Sequence, residues 1–326
     1  MRHDFRSHSP RDRARYLATL PFARTLDADA IMTAAFMMRE SQFDPEEVLV
    51  AQGHPVSNMY IVTSGRLSLW WGDRRLAEIE APGRFGLTDL LAEGRADTHG
   101  ASCDIVAETR VETLALPAEV VDHLLAANND FLFGLIRWYA DRLLAEHPRL
   151  DLDPAADEKG EAGGEFTLVG RVRWLRNTPL FSHSRLSSLF ELAEGQRVVR
   201  RADGDWLWRA GRRAETLWGI VAGGVELTGP GAAAMAGLLE PIAGGDHAES
   251  ARVTEPLTAL ALPVDTLWSV IETNIDTGIE LVRALASLLV EHRRADNRAG
   301  WAADEEFPRV RRYHPSIGYG RFDSGE

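Results

Sequence analysis

The stretch MYIVTSGRLSL at residues 59–69 decides the fold, because it returns as LWGIVAGGVEL at residues 217–227. The two stretches lie 158 residues apart and share apolar positions and a glycine, with Gly65 over Gly223. The same offset holds without a gap from Arg15 over Arg173 to Leu69 over Leu227. The halves then diverge and align again, at a shorter offset, at LALP 114–117 over 260–263. A repeat of this length indicates a duplicated domain rather than a solenoid.

Each half predicts the same order of short elements. Two helices come first, short strands with glycine turns follow, and two helices end the half. Such strands are typical of a small barrel or sandwich. The predicted first-half elements are helices at 13–20 and 28–38, strands at 47–51, 59–63, 66–71, 75–80 and 105–116, and helices at 118–126 and 129–146. The second-half helices are predicted at 170–176, 185–192, 264–273 and 276–294.

Composition narrows the class of protein. The chain has 326 residues, a formal net charge of −13, 45% apolar and 26% charged residues, which is ordinary globular composition for about two domains. The acidic balance argues against non-specific binding to nucleic acid. The single cysteine, Cys103, argues against a disulfide framework and favours a reducing, cytoplasmic location. No apolar stretch is long enough for a transmembrane helix.

A segment rich in proline, glycine and acidic residues, HPRLDLDPAADEKGEAGGE at 147–165, divides the chain nearly in half. Its composition is typical of a linker. The predicted organisation is a flexible N-terminus (1–12), a first domain (13–147), an acidic linker (148–167), a second domain (168–295) and a disordered tail rich in arginine and aromatic residues (296–326).

Several motifs resemble the cyclic nucleotide-binding domain, the barrel of catabolite activators and of kinase regulatory subunits. They are VLVAQG at 48–53, MYIVTSG at 59–65 and PGRFG at 82–86, with LWRAG at 207–211 and WGIVAG at 218–223 in the second half. The resemblance implies a mainly β fold with flanking helices, in which two tandem jelly-roll barrels are each followed by C-terminal helices. No DNA-binding module is expected, because only about 30 residues follow the last predicted helix.

The resemblance also implies a phosphate-binding cassette with a glycine-rich helix start, an arginine and a glutamate. In the first half, Leu87 stands at the glutamate position and Ala101 at the arginine position, with Arg95 or Arg84 as substitute cations. Charged hydrogen bonds contribute about 1.5–3 kcal/mol each, so their loss would abolish binding. The ligand-binding residues, if any ligand binds, are predicted to be Gly83, Arg84, Phe85, Gly86, Asp89, Arg95, Ser102 and Cys103.

In the second half, residues 240–253 leave hardly any room for a helix that cradles a phosphate. A closed pocket is predicted, with Gly244, Gly245 and Arg252 as remnants of the site. Cys103 is interpreted as a small buried residue, and the histidines are too scattered for a metal site. No catalytic or metal-binding residue is predicted.

Two features favour contact with a protein partner, and each has an alternative. Alternation along the strand WLW at 206–208 places Trp206 and Trp208 on one face, which indicates either an exposed contact surface or core packing. The tail at 307–322 carries four arginines, several aromatic residues and no acid, which is typical of interface anchors or else of a frayed terminus. The predicted partner-binding residues are Trp206, Trp208, Phe307, Arg309, Arg311, Arg312, Tyr313, Tyr319 and Phe322.

Two functions follow from these observations. The favoured hypothesis is a non-catalytic tandem cyclic nucleotide-binding-like protein that has lost its ligand, needs no cofactor and acts as an adaptor or structural subunit of a larger assembly. The alternative is a regulatory sensor that binds a cyclic nucleotide in the first domain. The periodic last helix predicts packing on its own barrel or the seam of a homodimer, and the sequence leaves both open.

Overall fold

The computed structural model describes residues 9–20, 23, 25–93, 100–146, 166–228 and 236–296. The first half begins with helices α1 (Pro10–Thr19) and α2 (Ala28–Met37). Ser9 and Asp27 cap them by accepting backbone N–H groups, from Asp12 and Ala30. Helix α1 thus begins inside the stretch 1–12 that was expected to be flexible.

Eight strands form two antiparallel four-stranded sheets, in the orders β1-β8-β3-β6 and β2-β7-β4-β5. Helix α3 (Leu87–Glu93) lies between β6 and β7, and α4 (Ala118–Ala127) and α5 (Asn129–Glu146) end the half. The two sheets are those of a jelly-roll barrel. The strands are β1 (Arg39–Phe43), β2 (Val48–Val50), β3 (Asn58–Ser64), β4 (Arg66–Trp71), β5 (Arg74–Glu80), β6 (Arg84–Phe85), β7 (Asp104–Ala107) and β8 (Val111–Pro117).

Two details differ from the sequence prediction. The strand predicted at 105–116 is divided into β7 and β8, because the chain turns at Thr109, whose side chain accepts the backbone N–H of Arg66. Strand β1 was not predicted, because it is a largely polar edge strand that pairs only with β8 among the described strands.

The second half repeats this order. Helices α6 (Leu168–Asn177) and α7 (Leu186–Gly195) and strands β9 (Arg197–Arg201), β10 (Trp206–Trp208) and β11 (Thr216–Thr228) begin 158 residues after α1, α2, β1, β2 and β3. Helix α8 (Ala236–Ala243) comes next. Strand β12 (Ser250–Pro263) and helices α9 (Val264–Thr273) and α10 (Ile275–Asp296) begin 146 residues after β7, α4 and α5. Among the described residues of this half, nothing corresponds to β5 or β6.

The repeat extends to single hydrogen bonds. Arg13 donates to the carbonyls of Ala35 and Met38 at the end of α2, and Arg171 donates to the corresponding carbonyls at the end of α7. Gly65 and Gly223 both have a positive φ, of 91° and 94°. A tight turn therefore occupies the same position in each half.

The main apolar core lies between the halves. Helix α10 packs against α5 and α3 of the first half, and α5 packs against α8 of the second. The contact is close, because a Cβ on Gly278 of α10 would lie 2.7 Å from Cδ2 of Leu132 on α5. The last helix of each half therefore covers the other half rather than its own barrel. Within the described residues, no helix is long and apolar enough to span a membrane.

Candidate functional site

The first cassette, residues 82–107, begins with a turn that needs glycine. Gly86 has φ of 87°, and a Cβ there would lie 2.8 Å from the carbonyl oxygen of Asn58. A Cβ on Gly83 would lie 2.7 Å from the carbonyl oxygen of Glu80. The turn leads directly into α3, so the local backbone feature predicted from PGRFG is present.

The two residues between these glycines point to opposite sides of β6. Phe85 stacks on Tyr60 with ring centroids 4.8 Å apart and joins the barrel core. Arg84 pairs with Ile61, which belongs to the core between the halves. Because paired residues share a face of a sheet, the buried Arg84 side chain lies on the side away from the barrel interior.

Apolar side chains occupy the two positions where the family resemblance implies charged groups. Leu87 is 3% exposed and Ala101 is 1% exposed, and both belong to the main core together with Leu91. Burial of an unpaired charge is costly, whereas these residues gain free energy from burial. The two positions that depart from the family pattern, Leu87 and Ala101, are therefore filled by buried core side chains.

Asp89 is held within the cassette by Ser102. Its Oδ1 accepts the Ser102 backbone N–H at 3.2 Å and the Ser102 hydroxyl at 2.5 Å. Burial raises the pKa of Asp89, while the Ser102 bonds and the charges of Arg293 and Arg294 act in the opposite direction. The carboxylate acts as an internal acceptor that ties α3 to the start of β7.

The remaining first-half candidates are placed as follows. Cys103 is buried, as predicted, and burial raises the pKa of its thiol, with Asp89 and Asp104 adding to the shift. The thiol therefore stays protonated and is a poor nucleophile. Arg95 lies outside the described residues.

A buried ion pair fixes α10 to the end of α5. Arg293 donates from Nε and Nη2 to the two carboxylate oxygens of Glu146, both at 2.9 Å. Burial alone would raise the pKa of Glu146, but the hydrogen bonds and charges of Arg293 and Arg142 outweigh it and lower the pKa. Arg294 donates to the carbonyl of Gly100. We call Arg293, Arg294, Glu146 and Gly100 the clasp.

The second cassette, residues 236–253, contains a helix, although the sequence predicted hardly any room for one. Helix α8 begins at Ala236, before the stretch 240–253 on which that prediction rests. Glu240 on α8 accepts the Ala248 backbone N–H at 2.9 Å, and its other oxygen lies 2.5 Å from His247 Nδ1. Ala248 stands 146 residues after Ser102, so both cassette helices supply a carboxylate to the same backbone position.

The predicted remnants do not converge on this cassette. Gly244 ends α8, where its N–H bonds to the carbonyls of Glu240 and Pro241, and the N–H of Gly245 also bonds to Glu240. Arg252 is exposed on β12, between two buried neighbours, and its Nε lies 3.4 Å from the carbonyl of Gly204. Arg252 thus faces away from the barrel interior.

The two tryptophans of β10 are half-buried and differ in their contacts. Trp208 stacks on His247, with centroids 4.9 Å apart, and donates to the carbonyl of Glu249. Trp206 faces outward beneath the guanidinium of Arg209, 4.2 Å from the ring centroid. Core packing therefore explains Trp208, and Trp206 alone lies at a polar surface. The tail candidates Phe307, Arg309, Arg311, Arg312, Tyr313, Tyr319 and Phe322 lie outside the described residues.

Sequence reasoning missed Glu240, His247, Glu146 and Arg293. The acid in each cassette helix was detectable, because the helix residues TDLLA and LEPIA align Asp89 with Glu240. The clasp had no comparable signal, because it joins residues 147 positions apart in sequence.

Comparison with known proteins confirms the resemblance. Residues 40–128, which lie in the first half, match the family model described as cyclic nucleotide-binding domain. No curated protein matches the chain.

Three solved structures are similar at 14% identity. The regulatory domain of Toxoplasma gondii PKA with cAMP covers 88% of this chain and 97% of its own length, with a TM-score of 0.34. The regulatory subunit of a cAMP-independent protein kinase A from Trypanosoma brucei covers 89% of this chain and 95% of its own length, with a TM-score of 0.33. The sensor domain of the transcriptional regulator DNR from Pseudomonas aeruginosa covers 44% of this chain and 95% of its own length, with a TM-score of 0.40.

Proposed function

We propose that this chain is a non-catalytic, cytoplasmic adaptor or structural subunit that acts through protein contacts and does not depend on a cyclic nucleotide. The observation that carries the proposal is the first cassette, in which Leu87 and Ala101 are buried apolar residues. The nearby carboxylate of Asp89 is bonded to Ser102. A cyclic phosphate entering there would meet neither a guanidinium at position 101 nor a carboxylate at position 87.

A sensor function is the second candidate, and one observation favours it. The Gly83–Gly86 turn and α3 keep the backbone shape of the cassette. A cation supplied from elsewhere, with Arg95 as the candidate named from the sequence, would be needed to bind the phosphate.

Calorimetric titration of the purified chain tests the proposal. Cyclic AMP, cyclic GMP and cyclic dinucleotides are added to about 1 mM, a concentration that detects binding down to roughly 4 kcal/mol. We expect no heat of binding. Saturable heat with a dissociation constant in the low micromolar range would overturn the adaptor proposal and support the sensor.

A variant that restores both charged residues distinguishes a cassette that lacks only the binding groups from one that has no room for a ligand. Leu87→Glu combined with Ala101→Arg supplies both absent groups. Heat from this variant, with none from the parent chain, would show that the cassette lacks only the charged groups. No heat from the folded variant would show that its interior no longer admits a ligand.

The tail is proposed as one docking element, on the strength of its arginine and aromatic composition. Deletion of residues 296–326 should abolish recovery of a partner that the full chain retains in a pull-down. Recovery that survives the deletion unchanged would refute this role for the tail.

A further inference from the structure

One difference between the halves is a reversal of charge on an equivalent segment. Residues 39–55 contain one arginine and four acids, a net charge of −3. Residues 197–213, which are 158 positions later and hold β9, β10 and the turn after them, contain six arginines and two acids, a net charge of +4. The change occurs in a chain whose overall charge is −13.

All six of these arginines are exposed. Arg252 joins them from β12, because it pairs with Trp206 and its guanidinium lies 6.0 Å from that ring. We call the exposed arginines Arg200, Arg201, Arg209, Arg212 and Arg252 the arginine face; the guanidinium groups of Arg209 and Arg252 are those that lie near the ring of Trp206. Their first-half counterparts are Gln42, Phe43, Ala51, His54 and Val106, with Val48 at the position of Trp206.

The contacts of the arginine face differ from those of exposed arginines in the first barrel. Arg66 and Arg75 there form ion pairs with Glu78 and Glu108. On the arginine face, Arg201 donates to the carbonyl of Arg200, Arg252 contacts the carbonyl of Gly204, and Arg209 lies over Trp206. Acidic groups close to it are Asp203 and Asp205 in the β9–β10 turn and Glu226 opposite Arg252.

The chemistry of this face fits carboxylates better than nucleic acid. Single-stranded nucleic acid stacks its bases on open aromatic rings, but Arg209 covers Trp206, and Trp208 stacks on His247 and Trp218. The overall charge of −13 also repels a long polyanion. A guanidinium lying flat on a ring keeps its N–H edges free for bidentate bonds to a carboxylate.

We propose that the arginine face is the docking site for an acidic segment, rich in Asp and Glu, of a partner protein. This inference rests on the proposed adaptor function and names the chemistry of its partner. Trp206 and the guanidinium groups are the anchors, and the acidic first-half counterpart is excluded from the same contact by its charge.

Fluorescence anisotropy with the full chain tests the docking site. The probe is a fluorescein-labelled peptide of twelve residues that alternates Glu and Ala, at low salt. The variant replaces Arg200, Arg201, Arg209 and Arg212 by Ala, and the matched control is Arg66→Ala with Arg75→Ala. We expect at least about tenfold weaker binding for the variant and a change within about twofold for the control, since the paired arginines are already neutralised.

Four outcomes would overturn the proposal. The parent chain does not bind the peptide; the control loses as much affinity as the variant; or a single-stranded oligo-dT of twenty nucleotides binds more tightly than the peptide. In the fourth, the chain self-associates by sedimentation and Glu46→Gln with Glu47→Gln abolishes it, which would make a second copy the occupant. Thermal unfolding checks that the variants are folded, and cyclic nucleotide titration fails or succeeds independently of the peptide result.

Discussion

The two halves of this chain anchor the same cassette helix with different side chains. In the first half Asp89 accepts both polar groups of Ser102, and in the second Glu240 binds the Ala248 N–H and the ring of His247. The position of the acceptor is retained, whereas the partner changes from a hydroxyl to an imidazole. Each cassette helix is therefore anchored by an internal carboxylate, Asp89 in the first half and Glu240 in the second.

A reciprocal arrangement joins the halves. Helix α10 packs on α3, and α5 packs on α8, so each cassette helix is covered by the last helix of the other half. The clasp adds a polar contact between α10 and α5, where Arg293 donates to Glu146.

Of the substitutions predicted here, one that breaks the clasp should cause the largest loss in the free energy of unfolding. Arg293→Ala leaves a largely buried Glu146 without its bidentate partner, and loss of one member of a buried pair costs about 3–5 kcal/mol. We expect a decrease of that size in the free energy of unfolding measured in urea. Arg283→Ala is the control on the same helix, since its partner Asp122 is exposed, and should cost under about 1 kcal/mol. Equal losses would refute a special role for the clasp.

Substitution of the turn glycine in either half should lower the free energy of unfolding by a similar amount. A Cβ on Gly65 or Gly223 would lie 2.4 Å from a carbonyl oxygen, of Arg110 or Pro256. We expect Gly65→Ala and Gly223→Ala each to cost at least about 2 kcal/mol of unfolding free energy, from strain and collision together.

The controls for this prediction are Gly53 and Gly211. Both have a positive φ, but a Cβ on either would meet nothing within 4 Å. Alanine there should cost only about 1 kcal/mol. A large effect at position 65 with a small one at 223 would show that the halves do not share this turn.

The pH dependence of the clasp should be the smallest effect. The pKa of Glu146 is lowered in the folded chain, so this carboxylate contributes stability above its unfolded pKa, and the contribution is lost as pH falls through the folded pKa. Glu146→Gln should therefore cost about 1.5–3 kcal/mol at pH 7 and clearly less near pH 3. A cost that is constant from pH 7 to pH 3 would contradict the ionised pair.

Much of the fold could be predicted from the repeat. The offset between Gly65 and Gly223 predicted matching hairpins, and both have positive φ in the structure. Helix α8 could not be predicted, because its Gly237 and Pro241 oppose helix formation. Tertiary packing stabilises α8 despite these residues, since Gly237 packs so closely on Trp208 that a Cβ there would lie 3.1 Å from its ring.

The candidate site was harder to predict than the fold. Leu87 and Ala101 indicated the missing ligand groups, and the structure buries both. The role of Arg293 could not be predicted, because the periodicity of α10 indicates that one face is buried but not which element covers it. The packing of α10 on α3 and α5 brings Arg293 to Glu146.

Ligand-linked thermal unfolding tests the central claim most directly. A ligand at 100 times its dissociation constant stabilises the folded state by about 2.7 kcal/mol, which raises the unfolding midpoint by several degrees. With cyclic AMP or cyclic GMP at about 1 mM, we predict a midpoint unchanged within the error of the measurement. A saturable rise of several degrees that is lost in Gly86→Ala would contradict the closed cassette.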